Sequence, residues 1–303
     1  MSKHERQIAR DISYANSAKG RSGRALIRVM ENATGRLDLI RRAKGYADDV
    51  ANGADFWEVM AERYGLSLDI VGGSLDSIPK DGPLITVANH PYGILDGLMM
   101  GLMLSQRRDG EFKVLAHRVF RNAPDLEKVI LPISFDETKE AAKQNLATRA
   151  EALNYLKGGG AIGVFPGGTV STSAKAFSKP LDPTWRNFTG KMVARSNATV
   201  VPIFFDGSNS RLFQIGSHLH YTLRMGLMVR EFKARINSPV RVVIGKPIPA
   251  EDLANVKGDP TQCMDFLRKA TYDLSPRPIN ANEYGHEFEA KYKGRAKNGS
   301  RNI

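Results

Sequence analysis

From residue 66 to residue 245, short apolar runs alternate with helix-length stretches, and few architectures accept that rhythm. The runs cover 66–71, 84–88, 113–116, 129–135, 161–165, 199–205 and 240–245, and the helical stretches cover 95–104, 139–156, 185–197 and 219–236. Strand runs separated by helices of this length argue for an α/β fold, a sheet with helices on both faces. Pro132 and Pro202 fall inside two of the runs. Proline cannot donate to a sheet ladder, so both are expected at edges, bulges or strand ends.

Ahead of this block, the first twenty residues are polar and carry no assigned element. Residues 24–44 then place Leu26, Met30, Ala33, Leu37 and Ile40 at spacings of 4, 3, 4 and 3, a helical stripe ringed by Arg24, Arg28, Arg36, Arg41 and Arg42. Gly35 weakens such a helix by roughly 1 kcal/mol relative to alanine. The stripe reads either as a basic amphipathic helix on an anionic membrane or as a helix docked on the main domain. The 219–236 stretch has the same two readings, with Met225, Met228, Val229, Phe232 and Ile236 at helical spacing beside Arg224, Arg230, Lys233 and Arg235. After Pro276 the chain is polar and basic, and no element is assigned. The chain divides into 1–65, a helical segment open to membrane contact, 66–275, the main domain, and 276–303, a tail.

Lys and Arg number 44 against 32 Asp and Glu, a net charge of +12. That charge suits nucleic acid, anionic lipid headgroups or phosphorylated cofactors. A non-catalytic nucleic-acid-binding protein is therefore one alternative. No RNP-type aromatic motif or zinc finger supports it and the basic residues are scattered, so no nucleic acid is expected. Cys263 stands alone, which excludes a disulfide-built fold, and with six scattered His it makes no ready zinc site, so no metal is expected. It lies in a helical pattern and reads as a packed small hydrophobe. No window approaches 18 consecutive apolar residues, and the first residues lack a signal-peptide core. The expected location is cytoplasmic and reducing.

Several motifs mislead. Gly158, Gly160 and Gly163 formally fit a dinucleotide loop, but they follow a helix and open a strand, the reverse of that motif's order, and so read as a helix C-terminal turn. No G-x-x-x-x-G-K-[ST] or G-x-S-x-G occurs, which removes the common ATPase and weakens the serine-hydrolase reading. His4, His117, His218, His220 and His286 have no neighbours that call for catalysis.

Two stretches carry chemistry. In the first, an apolar strand ends at Ala88 and polar Asn89 and His90 follow at once. Chemistry in open α/β sheets collects at the carboxyl ends of strands. Pro91 keeps His90 extended, Gly93 permits a tight turn, and Asp96 falls in the first turn of the helix that follows, where the macrodipole favours its charged form. A compact loop brings carboxylate to imidazole, fixes the tautomer and leaves the other ring nitrogen free as a base. In the second stretch, the strand ending at Phe165 runs into Pro166, Gly167, Gly168, Thr169, Val170 and Ser171. The glycines let a ligand approach backbone N–H groups, and Thr169, Ser171 and Ser173 add hydroxyls. A plain strand-to-loop turn is the alternative.

Together these stretches resemble the PlsC-like lysophospholipid and glycerolipid acyltransferase superfamily. Its first motif, NH-x₄-D, is approximated by Asn89, His90 and Asp96, and its third, F-P-E-G-T-R-S, by Phe165 through Ser171, about 75 residues on. An apolar strand into proline around Pro202 matches its fourth. The likeness spans roughly residues 66–249. It is closest to the bacterial hemolysin-like and lyso-ornithine-lipid acyltransferase branch, which has NHP-x-G-x-LDG and a strand-end GxNS, here Gly207 to Ser210. The resemblance implies a mixed, mostly parallel sheet flanked by helices. It also implies His90 as general base oriented by Asp96, and Asn89, Gly93, Phe165, Gly167, Gly168, Thr169, Ser171 and Pro202 at the substrate. Acyl-CoA or acyl carrier protein is the implied donor, with no cofactor, a lyso-lipid hydroxyl the acceptor, and the inner face of the cell membrane the workplace. Backbone N–H groups near Gly167 and Gly168 would bind the developing oxyanion. An acyl-ester or thioester hydrolase using the same histidine is a further alternative.

Two departures stand out. Five residues separate His90 from Asp96 where the family has four, so the loop must turn differently to close the pair. Gly167 and Val170 replace the family's Glu and Arg, and that Arg is associated with the acceptor's phosphate. Arg118, Arg121 or Lys175 would have to supply the charge for a lysophosphatidic-acid-like acceptor.

Overall fold

A computed structural model describes residues 13–15, 18, 20–117, 124–134, 138–175 and 177–289. Four short helices come first: α1 (Arg21–Thr34), α2 (Arg36–Ala43), α3 (Tyr46–Ala51) and α4 (Phe56–Arg63). The sheet domain follows as β1 (Ser67–Gly72), β2 (Leu84–Ala88), α5 (Ile94–Arg108), β3 (Phe112–His117), α6 (Pro124–Glu127), β4 (Ile130–Ile133), α7 (Lys139–Lys157) and β5 (Ala161–Val164). A small hairpin, β6 (Thr172–Ser173) and β7 (Pro180–Leu181), leads to α8 (Asn187–Arg195) and β8 (Thr199–Phe205). Helices α9 (Arg211–Leu219) and α10 (Tyr221–Lys233), β9 (Pro239–Ile244) and α11 (Pro260–Tyr272) complete the described elements.

The seven-stranded sheet has the order β1-β9-β8-β2-β5-β3-β4. Strands β8, β2, β5, β3 and β4 run parallel, β9 is antiparallel to β8, and β1 is parallel to β9. The sheet is covered by helices, as the alternation predicts, and is mixed and mostly parallel, as the resemblance implies. Strands β2 and β5 are buried at every residue, the signature of strands covered on both faces. Their carboxyl ends, with that of β8, open at one edge, and the two chemical stretches leave from there.

Pro132 lies on the edge strand β4, as expected. Pro202 does not lie at an edge: it sits within β8, paired with Val87 of β2. Its carbonyl accepts from Gly245 N at 2.8 Å, just where β9 has ended. Pairing resumes at the Val200–Ile248 bridge, so Pro202 falls at an irregularity of the ladder, the bulge-like position where a missing donor is tolerated. The 158–163 glycines do form the turn after α7, with Gly158 as its C-cap.

The 219–236 stretch takes the packed one of its two readings, and two other expectations change. The chain breaks at His220, whose ring caps α10, and Arg224, Met228 and Val229 are buried. The polar start is anchored: Ser13 Oγ and Tyr14 N donate to the buried carboxylate of Glu31 on α1. The tail also packs. Arg186 is bridged to Glu287 and Glu289, and Arg268 stacks between Tyr272 and Tyr284 while donating to the Glu283 carbonyl. His286 N bonds the Thr172 carbonyl at 2.9 Å and Gly285 N the Asp182 carbonyl at 2.9 Å, so residues 283–289 form a strap along the small hairpin. The sequence signal was too local to show it: the Thr172 and Asp182 carbonyls and Arg186 all lie about a hundred residues upstream.

The 24–44 stripe is divided at Gly35 into α1 and α2 and docks on the domain. Ile27 and Glu31 face inward and Met30 packs on Gly226 of α10, yet the stripe's Leu26 and Leu37, with Val29, stay 49%, 56% and 64% exposed. Leu39, Ala43, Tyr46 and Trp57 join the same core as α5 and β2, so residues 36–63 are built into the sheet domain rather than appended to it.

Candidate active site

The first stretch closes as a turn between β2 and α5. Gly93 takes φ +93° and ψ −121°, and a Cβ there would fall 2.3 Å from Met228 Cε on α10, so this is a glycine position twice over. The turn folds Asp96 back toward its own start. Its Oδ2 accepts from Tyr92 N at 2.8 Å and Gly93 N at 2.9 Å, and His90 Nδ1 stands 3.0 Å from the same oxygen. The five-residue gap therefore closes the pair, with one extra residue absorbed at Gly93. Asp96 is fully buried, and burial pushes its carboxyl above the usual range although His90 and both N–H groups favour its charged form. The His90 side chain keeps 18% of its surface exposed. Tyr14 lies over this turn, close to Gly93 and Ile94.

The second stretch arrives beside the first. The Phe165 ring stacks on the His90 imidazole at 4.3 Å between centroids and 27° between planes. Ser171 N donates to the His90 carbonyl at 2.7 Å, locking the two loops together. Gly168 N donates to the Phe165 carbonyl at 3.0 Å, so that N–H is engaged within the turn and is not a free oxyanion donor. Thr169 Oγ1 and the Val170 carbonyl accept from Arg224 Nη2 at 3.1 and 2.8 Å, and Thr172 Oγ1 from Arg224 Nη1 at 2.7 Å. Arg224 lies buried between the rings of Phe213 and Phe288, and desolvation lowers its pKa to about 10. A cation thus supports the loop from α10 where its own position 170 has a valine.

Sequence and comparison agree on what this is. Residues 71–206, which hold both loops and all of β8, match the family model named Acyltransferase. Two lyso-glycine lipid O-acyltransferases are similar along most of their length. The one from Phocaeicola vulgatus is 25% identical over 230 residues, 73% of this chain and 78% of that protein. The one from Bacteroides thetaiotaomicron is 25% identical over 228 residues, 73% of this chain and 80% of that protein. The chain is an acyltransferase that resembles the PlsC-like superfamily. The crystal structure of the 1-acyl-sn-glycerophosphate acyltransferase PlsC from Thermotoga maritima aligns over 84% of this chain and 98% of that one, at 16% identity and a TM-score of 0.46.

Within this acyltransferase the remaining residues expected at the site separate by role. Asn89 is turned away from any ligand: Nδ2 donates to the Phe205 carbonyl at 3.0 Å and Oδ1 accepts from Phe205 N at 2.7 Å, pinning the ends of β2 and β8. Pro202 is buried in β8 against Gly245, a sheet-building position rather than a substrate contact. Arg118 and Arg121 lie outside the described residues, and Lys175 is exposed. Gly207 to Ser210 sit next to the turn, where Tyr92 Oη donates to the Asp206 carbonyl at 3.0 Å and Glu231 takes Ser210 N and Oγ, each at 2.7 Å. His218 contacts the Ser173 carbonyl and His286, and Cys263 is buried with its thiol pushed up to about 11, in line with their structural readings. Sequence reasoning passed over Asp182. It is fully buried, with Oδ1 accepting from His90 N at 3.1 Å and from Ser171 Oγ. Its only signal was an acid amid prolines and Trp185.

Proposed function

We propose that this acyltransferase moves a fatty acyl group from a thioester, acyl-CoA or acyl carrier protein, to the hydroxyl of a lyso-aminolipid. The observation that carries the reading is the 3.0 Å approach of His90 Nδ1 to Asp96 beneath the Phe165 loop. Assigning the proton to Nδ1, the nitrogen 3.0 Å from the carboxylate, leaves Nε2 as the free base. It takes the proton of the acceptor hydroxyl as that oxygen attacks the thioester carbonyl, a contribution of about 10²–10⁴-fold. The carboxylate stabilises the imidazolium. With Gly168 and Ser171 already bonded, the oxyanion donor is drawn from the Gly167 or Thr169 N–H, a contact worth about 3–4 kcal/mol. Collapse of the tetrahedral intermediate expels the thiolate, and the imidazolium returns the proton to it.

The acceptor follows from the third loop and the relatives. No arginine stands at position 170, and both curated relatives are named for a glycine-bearing lyso-lipid. A panel of labelled acyl-CoA and acyl carrier protein against lyso-glycine lipid, lyso-ornithine lipid and lysophosphatidic acid tests this. Acylation of a carboxylate-bearing lyso-lipid, at least about tenfold faster than of lysophosphatidic acid, is the expected result. Preference for lysophosphatidic acid refutes the headgroup assignment, and thioester turnover without any acceptor favours a hydrolase.

Among the described residues no helix is long and apolar enough to cross a membrane. We propose that α1 and α2 bring the enzyme to the inner face of the cell membrane. Exposed Leu26, Val29 and Leu37 lie among Arg21, Arg24 and Arg41 on a layer that packs on α10, whose Met228 in turn touches the Gly93 turn. Each basic residue at an anionic leaflet is worth about 1 kcal/mol, and each apolar side chain that leaves water adds about 1.5–3 kcal/mol. Flotation with phosphatidylglycerol vesicles should be strong at low salt, weaker at high salt, and at least about tenfold weaker for a Leu26→Glu, Val29→Glu double variant. Absence of binding at low salt refutes the surface.

A further inference from the structure

The catalytic histidine and the third-motif loop are held in register by a carboxylate that belongs to neither. Asp182 follows β7. Its Oδ1 accepts from the His90 backbone N–H at 3.1 Å and from the Ser171 hydroxyl, and its Oδ2 accepts from Trp185 Nε1 at 2.9 Å. Ser171 N reaches the His90 carbonyl at 2.7 Å, so both polar groups of His90's main chain are fixed, one by each member of the Asp182–Ser171 pair. Asp182 is itself immobilised through its main chain. Its N–H donates to Tyr272 Oη at 2.8 Å, and its carbonyl accepts from Gly285 N at 2.9 Å and Arg268 Nη2 at 3.2 Å. A Cβ on Gly167 would meet Asp182 Cβ, Cγ and Oδ2 at 3.3 Å, so the bare position in the loop is the one this carboxylate lies against.

We propose that Asp182 is a positioning residue for acyl transfer. It sets the distance between the His90 imidazole and the Gly167–Thr169 backbone, where base and oxyanion donor must meet one substrate. The claim rests on the function proposed above and adds the residue that sets its geometry. Three neutral donors bond the carboxylate oxygens. Such a group works only as an acceptor on both oxygens, which an amide cannot imitate. In Asp182→Asn the amide oxygen satisfies either His90 and Ser171 or Trp185, and the amide N–H₂ faces an N–H or O–H at the other side.

The test compares Asp182→Asn with the Asp182→Asn, Trp185→Phe double variant, which frees the amide to keep its oxygen toward His90. Misplacing a catalytic group by about 1 Å costs on the order of 10²-fold. The single variant should therefore lose about 10- to 100-fold in kcat, with KM for the acyl thioester within about twofold of the parent, and the double variant should recover most of kcat. Val240→Ala, a buried substitution in β9 away from both loops, serves as the control for lost stability alone. A folded Asp182→Asn enzyme with the parent's kcat overturns the proposal, as does a kcat loss that Val240→Ala reproduces at equal distance from its melting temperature. Should Asp182→Asn not fold, Ser171→Ala removes one Oδ1 donor and should still lower kcat at constant donor KM; an unchanged kcat there is equally fatal. The amide proton shift of His90, downfield when bonded to a carboxylate and moved upfield by Asp182→Asn, reads the contact without substrate. If the parent enzyme acylates no lyso-lipid while this shift behaves as described, the proposed function fails and the Asp182 contact stands.

Discussion

Replacing His90 with alanine should lower kcat/KM by about 10²- to 10⁴-fold while leaving the protein folded. The structure separates the two consequences. The links between His90 and the third loop, N–H to Asp182 and carbonyl from Ser171, are made by its main chain and survive the substitution. Asp96 keeps its bonds from Tyr92 N and Gly93 N, so the turn that builds the site does not depend on the imidazole. What disappears is the proposed base and the ring on which Phe165 stacks. Steady-state acylation with thermal unfolding followed by circular dichroism checks both halves. Activity within about threefold of the parent contradicts the assignment, since a positioned base contributes far more than that.

Two substitutions at Asp96 should differ in kind. Asp96→Asn keeps an oxygen where Oδ2 stands, able to accept from Tyr92 N, Gly93 N and His90 Nδ1 alike, so the turn survives, and its amide N–H₂ takes the buried Oδ1 position. What is lost is the negative charge that would stabilise the imidazolium. A hydrogen bond to a charged group is worth about 1.5–3 kcal/mol, so a loss of about 10- to 100-fold in kcat is expected. Asp96→Ala removes the acceptor altogether and leaves two buried N–H groups without partners, at about 1–3 kcal/mol each. It should lose activity and also melt measurably lower. Kinetics and thermal melts of the pair decide the matter. Equal activity in Asp96→Asn and the parent would mean that the charge of the carboxylate does not support the histidine.

The parts of the site that sequence made legible are those where chemistry and local geometry coincide. A strand that ends in Asn89 and His90, a glycine, and an acid at the start of a helix are all read within eight residues, and the turn closes as that order implies. The glycine-rich loop after β5 was legible for the same reason. Asn89 was misread because its residue type suits a ligand as well as it suits the Phe205 main chain, and only the neighbouring β8 distinguishes the two. Asp182 was passed over because the two site residues it binds, His90 and Ser171, lie 92 and 11 residues away, and Trp185 beside it says nothing of either. The same holds for Glu31, a buried acid inside a helix that reads as basic, and for Arg224, whose helix reads as a surface stripe. Sheet membership was legible from apolar runs. The reversal at β9 and the docking of β1 beside it are matters of long-range pairing that no local pattern encodes.

The strap formed by residues 283–289 has a consequence for how the enzyme is made. The loop that ends at Ser171 is made first, and Gly285, His286, Glu287 and Phe288 contact the hairpin, Arg186 and Arg224 only after more than a hundred further residues have followed. At the ordinary pace of a ribosome that interval is roughly 6–24 s. A nascent chain would thus expose an unfinished glycine-rich edge throughout that interval, and the loop would reach its final support only once residues 283–289 have been made.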